Sequence, residues 1–191
     1  EEVLFQTFGP MGYALQRAAR GIHAAPVEPR SRPKSISRET TFEQNLLDWD
    51  RIERMLAYLA ERAAWKLREE NMEARSVTLK VRYSDFETHT FAQSLREPTC
   101  LDSDITAALD ALIPKARARR ARVRLIGVAL TGLRYDQHQL WLFGGDRREK
   151  WIRALEGVDR IRTRHGFGLI RMGKSVDLGR EVKLATPSLS R

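Results

Sequence analysis

Cysteine is almost missing from this 191-residue sequence: Cys100 stands alone, so no internal disulfide forms, and no His lies at metal-ligand spacing from it. A bridged framework and a zinc knuckle are excluded as sources of stability, and a reducing compartment, the cytoplasm, is expected. Long apolar runs are missing too. No stretch approaches the roughly 20 residues of a membrane span, and the N-terminus lacks the basic-then-apolar order of a signal peptide. The four histidines are scattered, and no P-loop, GxGxxG or Ser-His-Asp arrangement occurs. Negative charge is in short supply: 25 Asp and Glu face 34 Lys and Arg, a net +9. That field favours a polyanionic partner. Because 42% of residues are hydrophobic and the charges alternate with periodic apolar positions, a folded basic domain is expected rather than a basic tail.

Residues 2–6 read EVLFQ, which resembles part of a viral-protease cleavage site, but Thr7 and Phe8 follow where Gly-Pro would. Apolar residues then continue at helical spacing to Gly21, so residues 1–22 read as the helical end of a preceding domain. Pro26, Pro29 and Pro33 mark 23–33 as a linker. A strand is expected over 34–42. Trp49, Ile52, Leu56, Leu59, Ala63 and Leu67 then recur at steps of three and four, with Asp50 and Glu53 as a capping box, predicting a helix to about Asn71. Val77, Leu79, Val81 and Tyr83 alternate with Thr78, Lys80, Arg82 and Ser84, the pattern of a half-buried strand with a basic, hydroxylic outer face. After a turn at Ser84–Glu87, THTFAQSL returns as the second strand of a hairpin. Asp102 or Ser103 is then expected to cap a helix carrying Ile105, Leu109 and Leu112. RVRLIGVALTGL forms the last strand, and its apolar phase slips in a way that places a bulge near Gly127.

This order predicts an α+β fold: a four-stranded sheet from two split β-α-β units (β-α-β-β-α-β), both helices on one face, with an N-terminal helical remnant and a C-terminal helical tail. Domain boundaries follow at 34–137 for the sheet domain, 138–144 for a short peptide and 145–191 for a helix bearing Trp151, Ile152, Leu155, Val158 and Ile161, with a mobile tail from Arg171.

The run KSISRETTF, the helix leading into AERAAWKLREENMEARSVTLKVRYSDFETHT, the later PT and RVRLIGVALTGL together resemble the little-finger domain of Y-family lesion-bypass DNA polymerases of the DNA polymerase IV type, over residues 34–135. Residues 1–22 resemble the end of that family's thumb domain. The resemblance implies a domain lying along the major groove of primer-template DNA and holding its phosphates with Lys34, Ser35, Ser37, Arg38, Lys80, Arg82, Arg122 and Arg124. The residues alone reach part of that set, since Lys80 and Arg82 share the polar face of one strand and Arg122 and Arg124 lie opposite Val123 and Leu125. Lys115, Arg117, Arg119 and Arg120 read as cations at a helix C-terminus. After THT the family commonly carries basic residues, whereas FAQS stands here; Phe91 is expected in the core, and the grip of that strand, including Gln93, is weakened.

Gln139-Leu140-Trp141-Leu142-Phe143 resembles the Q-L-x-L-F peptide with which bacterial polymerases dock on the sliding clamp, Gln139 for hydrogen bonding and Leu140, Leu142 and Phe143 for an apolar pocket. By the same resemblance the catalytic carboxylates and their Mg2+ belong to the palm, which precedes residue 1. No catalytic residue, metal ligand or cofactor is therefore expected in this chain; palm and finger domains of the same polymerase are expected partners, and Asp102 and Asp104 read as helix caps. Two rival readings are a stand-alone binder of nucleic acid such as RNA and a clamp-binding protein from a truncated gene. RNA-binding sheets usually stack bases on aromatic residues, yet Tyr83 falls on the core side here.

Overall fold

A computed structural model describes residues 2–22, 26, 32–135, 145–176 and 178. They fall into two units, 1–32 and 33–191. The first holds α1 (Glu2–Phe8) and α2 (Pro10–Ala19). The break between them comes at Gly9, whose φ of 59° suits glycine, followed by Pro10 in the first turn of α2, where its missing N–H costs nothing. Most of the linker, 23–25 and 27–31, lies outside the described residues.

The second unit contains β1 (Ser35–Leu46), α3 (Trp49–Glu69), β2 (Met72–Tyr83), β3 (Thr88–Thr99), α4 (Asp102–Arg117) and β4 (Val123–Thr131). The strands lie in the order β1-β4-β2-β3, every pair antiparallel. A short β5 (Arg134–Tyr135) pairs with Met72 and Glu73 at the start of β2, one strand more than the sequence pattern predicts. Helix α3 packs over β1 and β4, and α4 over β2 and β3. Their apolar stripes, Ile52, Leu56, Leu59, Ala63 and Leu67 with Ile105, Leu109 and Leu112, close one core with Val77, Leu79, Val81, Ile126, Val128 and Leu130. Among the described residues no helix is long and apolar enough to cross a membrane.

Three local expectations are corrected. The cap of α3 is Asp48, whose carboxylate accepts from the N–H groups of Asp50 at 3.0 Å and Arg51 at 3.2 Å, rather than an Asp50–Glu53 box. Trp49 is already helical, so Asp50 sits too far inside to cap. Helix α4 starts at Asp102 without a side-chain cap from Leu101; Asp102 points inward, 1% exposed, and Asp104 instead accepts from Thr99 Oγ1 at 2.6 Å. The bulge of β4 is at Arg124, not Gly127: Leu125 pairs with Arg82 and Val123 with Tyr83, leaving Arg124 as the extra residue. Gly127 is in register with both Glu39 and Lys80.

Helix α5 (Gly145–His165) and two short 3-10 turns, Phe167–Leu169 and Gly173–Ser175, pack on α3. Leu155 and Leu178 are buried, and the ring of Phe167 lies 5.7 Å from Tyr58 and 5.4 Å from Trp65. Trp151 and Ile161 from the expected apolar face are 55% and 39% exposed, whereas Arg162 is 2% exposed. The helix phase is set by ion pairs to α3 rather than by its largest apolar residues. The tail expected to be mobile from Arg171 is seated as far as it is described: Glu61 accepts from Met172 N at 3.2 Å and from Ser175 Oγ at 2.5 Å.

Candidate nucleic-acid interface

Alternation along paired strands sorts every sheet side chain to one of two faces. Ile36, Leu130, Val77 and Gln93 share one row, Arg38, Val128, Leu79 and Phe91 the next, and both lie on the helix side. The opposite face, which neither α3 nor α4 covers, carries Ser35, Thr131, Ser76 and Ser94 in one row, then Ser37, Ala129, Thr78 and Ala92. Glu39, Gly127, Lys80 and Thr90 follow, and Thr41, Leu125, Arg82 and Thr88 complete it.

Ser35, Ser37, Lys80 and Arg82 are thus brought together on one face. Lys80 reaches across the row to Glu39, Nζ to Oε2 at 2.8 Å, passing over Gly127, where a Cβ would stand 2.9 Å from Glu39 Cβ. Both partners stay partly exposed, so the pair is held loosely in water. Arg82 donates from Nε to Thr88 Oγ1 at 2.8 Å, which steadies the guanidinium in the plane of the face. Arg124, at the bulge, places its guanidinium 4.8 Å from the ring centre of Phe86. Arg122 is exposed at the same end, and its carbonyl accepts from Ser84 N at 2.8 Å; Lys34 is exposed just before β1.

Arg38 does not join them. The fourth residue of β1, it alternates with Ser35 and Ser37 and so falls on the helix side with Ile36, half-buried beside α3, where burial first and then the nearby Arg62 guanidinium lower its pKa. Phe91 also faces that side and packs against the core, and Gln93, opposite Val77, lies on the same face. Sequence reasoning missed the hydroxyls of the uncovered face: β3 contributes Thr88, Thr90 and Ser94 there, a set the alternation of THTFAQS already encodes. Arg119 is no free helix-end cation, for it bridges Asp85 and Glu87 and lies 4.8 Å from the Tyr83 ring.

A second concentration of charge is structural. Arg68 donates to Asp159 at 2.6 and 3.1 Å and to the Cys100 carbonyl at 2.7 Å, and pairs with Asp102 at 3.3 Å. Arg162 pairs with Glu61 at 2.9 Å, both side chains 1% exposed. Burial raises the pKa of Glu61 and, against the pull of Arg68 and Arg162, that of Asp102 to about 6. Burial likewise raises the Cys100 thiol, so it is held unreactive. Among the described residues no group of three or more His, Cys, Asp or Glu side chains is placed to hold a metal ion. The peptide Gln139–Phe143, with Gln139, Leu140, Leu142 and Phe143, lies outside the described residues.

Residues 33–142 match the impB/mucB/samB family C-terminal domain. The DNA polymerase IV of Halorhodospira halophila is 42% identical over 129 residues, covering 68% of this chain and 36% of the relative. That of Desulfatibacillum aliphaticivorans is 33% identical over 165 residues, covering 83% of this chain and 41% of the relative. The chain therefore spans about two-fifths of the length of these curated relatives. Among solved structures, a Dbh-Dpo4-Dbh Y-family DNA polymerase chimera matches with a TM-score of 0.45 at 20% identity, covering 71% of this chain and 39% of that one. A little finger domain of PolIV, solved in complex with the beta-clamp processivity factor, matches with a TM-score of 0.43 at 20% identity, covering 58% of this chain and 98% of that one. The chain belongs to the impB/mucB/samB family, whose C-terminal domain it carries in residues 33–142, and is similar over that region to bacterial proteins named DNA polymerase IV.

Proposed function

We propose that the uncovered sheet face grips the sugar-phosphate backbone of primer-template DNA, holding the duplex for a polymerase active site that lies outside this chain, and so serves synthesis across damaged template. The observation that carries this is the composition of that face: Lys80 and Arg82 set among Ser35, Ser37, Thr78, Thr88 and Thr90, with Lys34, Arg122 and Arg124 at its margins. Cations interleaved with hydroxyl donors suit phosphate oxygens, and no aromatic ring lies in its rows to stack bases. Phosphate contacts fix position without reading sequence. Lys80→Ala combined with Arg82→Ala should therefore weaken duplex binding about equally for unrelated sequences, with Glu39 left unpaired on the face to deepen the loss. Lys115→Ala with Arg117→Ala, which removes the same charge from α4, should change it little. Equal losses from both pairs, measured by fluorescence anisotropy, would mean that net charge rather than this face binds DNA.

Docking on a bacterial sliding clamp is the second element of the proposal, supported by the Gln139-Leu140-Trp141-Leu142-Phe143 sequence. In chain order it sits between β5 and α5, two elements seated on the domain. Leu142→Ala with Phe143→Ala should lower clamp affinity at least about tenfold, as removal of two anchor side chains does, and leave thermal stability unchanged. A variant that unfolds would place those residues in the core and end the docking reading.

A further inference from the structure

The turn joining β2 to β3 displays an aromatic ring where turn chemistry asks for glycine or asparagine. Phe86 N donates to the Tyr83 carbonyl at 3.0 Å and Tyr83 N to the Glu87 carbonyl at 3.0 Å, which sets Phe86 at the left-handed position of the hairpin, φ 67°. A bulky side chain adopts that conformation only against a steric cost. Nothing in the fold recovers it by burial, because Phe86 is 64% exposed. The tip is nevertheless braced. Glu87 N donates to Asp85 Oδ1 at 3.1 Å, Arg119 bridges Asp85 and Glu87 from beneath, and Ser84 N is tied to the Arg122 carbonyl at 2.8 Å. Arg124 sets its guanidinium against the ring at 4.8 Å. An exposed aromatic on a braced turn, paired with a cation and bordered by Arg122 and by Arg82 at the end of the uncovered face, has the chemistry of a base-stacking platform.

We infer that Phe86 and Arg124 stack an unpaired base of single-stranded DNA where it leaves the duplex held by the sheet face. The sheet rows hold the backbone, and the hairpin tip, outside those rows, supplies the aromatic surface that they lack. A phenyl ring has no hydrogen-bonding edge, so the contact tolerates any base. A protein surface is the competing occupant, but Arg82, Arg119, Arg122 and Arg124 outnumber Asp85 and Glu87 around the tip, a net positive charge that suits a polyanion better than an apolar pocket. The inference uses the duplex-gripping reading for the placement of the strand and is measured separately from it.

The test is fluorescence anisotropy of the full chain on three probes: a blunt duplex, the same duplex with a 5′ thymidine overhang, and the same overhang made abasic. The chain should prefer the thymidine overhang to the abasic one by roughly 5- to 150-fold, the range of single base–aromatic stacking contacts. Phe86→Ala should abolish that preference and keep the blunt-duplex affinity. Phe86→Gly, which suits the backbone, should do the same while raising the melting temperature, separating loss of stacking from loss of fold. No preference in the unmodified chain, or a preference that survives Phe86→Ala, overturns the platform and assigns the exposed ring to a protein contact. Failure to bind the blunt duplex with the thymidine preference intact supports the platform and instead overturns the duplex grip.

Discussion

Arg162→Ala should destabilise the chain by about 3–5 kcal/mol, the usual result of removing one partner from a buried ion pair. Arg162 and Glu61 meet at 2.9 Å with 1% of each side chain exposed, and Arg162 also donates to the Ile170 carbonyl at 3.1 Å and lies 4.3 Å from the Phe167 ring. The truncated site would leave Glu61, among the described residues, with Ser175 Oγ and Met172 N as donors in a buried interface between α3 and the segment that follows α5. The loss should therefore appear as local release of residues 145–178 as well as a lower urea midpoint. Replacing both partners, Glu61→Met with Arg162→Met, should recover most of the stability, because no charge is then stranded. A single variant within about 0.5 kcal/mol of the parent, the range of ordinary surface changes, would contradict this view of the C-terminal segment as an integral layer of the domain.

Asp102→Asn should stabilise the chain at pH 7.5 by up to about 3 kcal/mol, the equivalent of raising its pKa from 3.8 to about 6 at 1.36 kcal/mol per unit. The sign follows from linkage. Burial raises the folded-state pKa, so between about pH 4 and pH 6 the unfolded chain loses the Asp102 proton while the folded chain keeps it, and stability falls as pH rises through that window. Below pH 4 both states are protonated, and the neutral amide should confer no advantage. Arg68 does not depend on Asp102 for a partner, since Asp159 and the Cys100 carbonyl hold it at 2.6 and 2.7 Å. Glu61, raised first by burial, acts in the same direction. Chemical denaturation of both proteins from pH 4 to pH 8 measures the difference; a variant less stable than the parent at pH 7.5 would mean that the 3.3 Å pairing with Arg68 outweighs desolvation.

What the sequence disclosed, it disclosed through period. The steps of three and four from Ile52 to Leu67 and the alternation from Val77 to Tyr83 are direct images of the core, because burial there is one-sided. The phase slip of β4 was visible as well, but periodicity reports that a register changes within a few residues, not at which one, and glycine drew the bulge from Arg124 to Gly127. Arg38 was misplaced because it was assigned by resemblance, whereas alternation from Ser35 and Ser37 already sets it on the helix side. The ionic layer under α5 was not legible. Arg162, Glu61 and Asp102 carry the composition of solvent-facing positions, and only contacts between segments far apart in the chain bring them inside. Phe86 was likewise hidden, since its exposure follows from a left-handed turn that the sequence YSDFE does not announce.

The most direct measurement of the central claim is the affinity of the chain for a blunt duplex as a function of salt. With about four or five of Lys34, Lys80, Arg82, Arg122 and Arg124 on phosphates, log affinity against log salt should fall with a slope of roughly −4, and Lys80→Ala with Arg82→Ala should flatten it by roughly 2. An affinity independent of salt, or a slope that the double substitution leaves unchanged, would contradict the assignment of the uncovered sheet face as the surface that holds DNA.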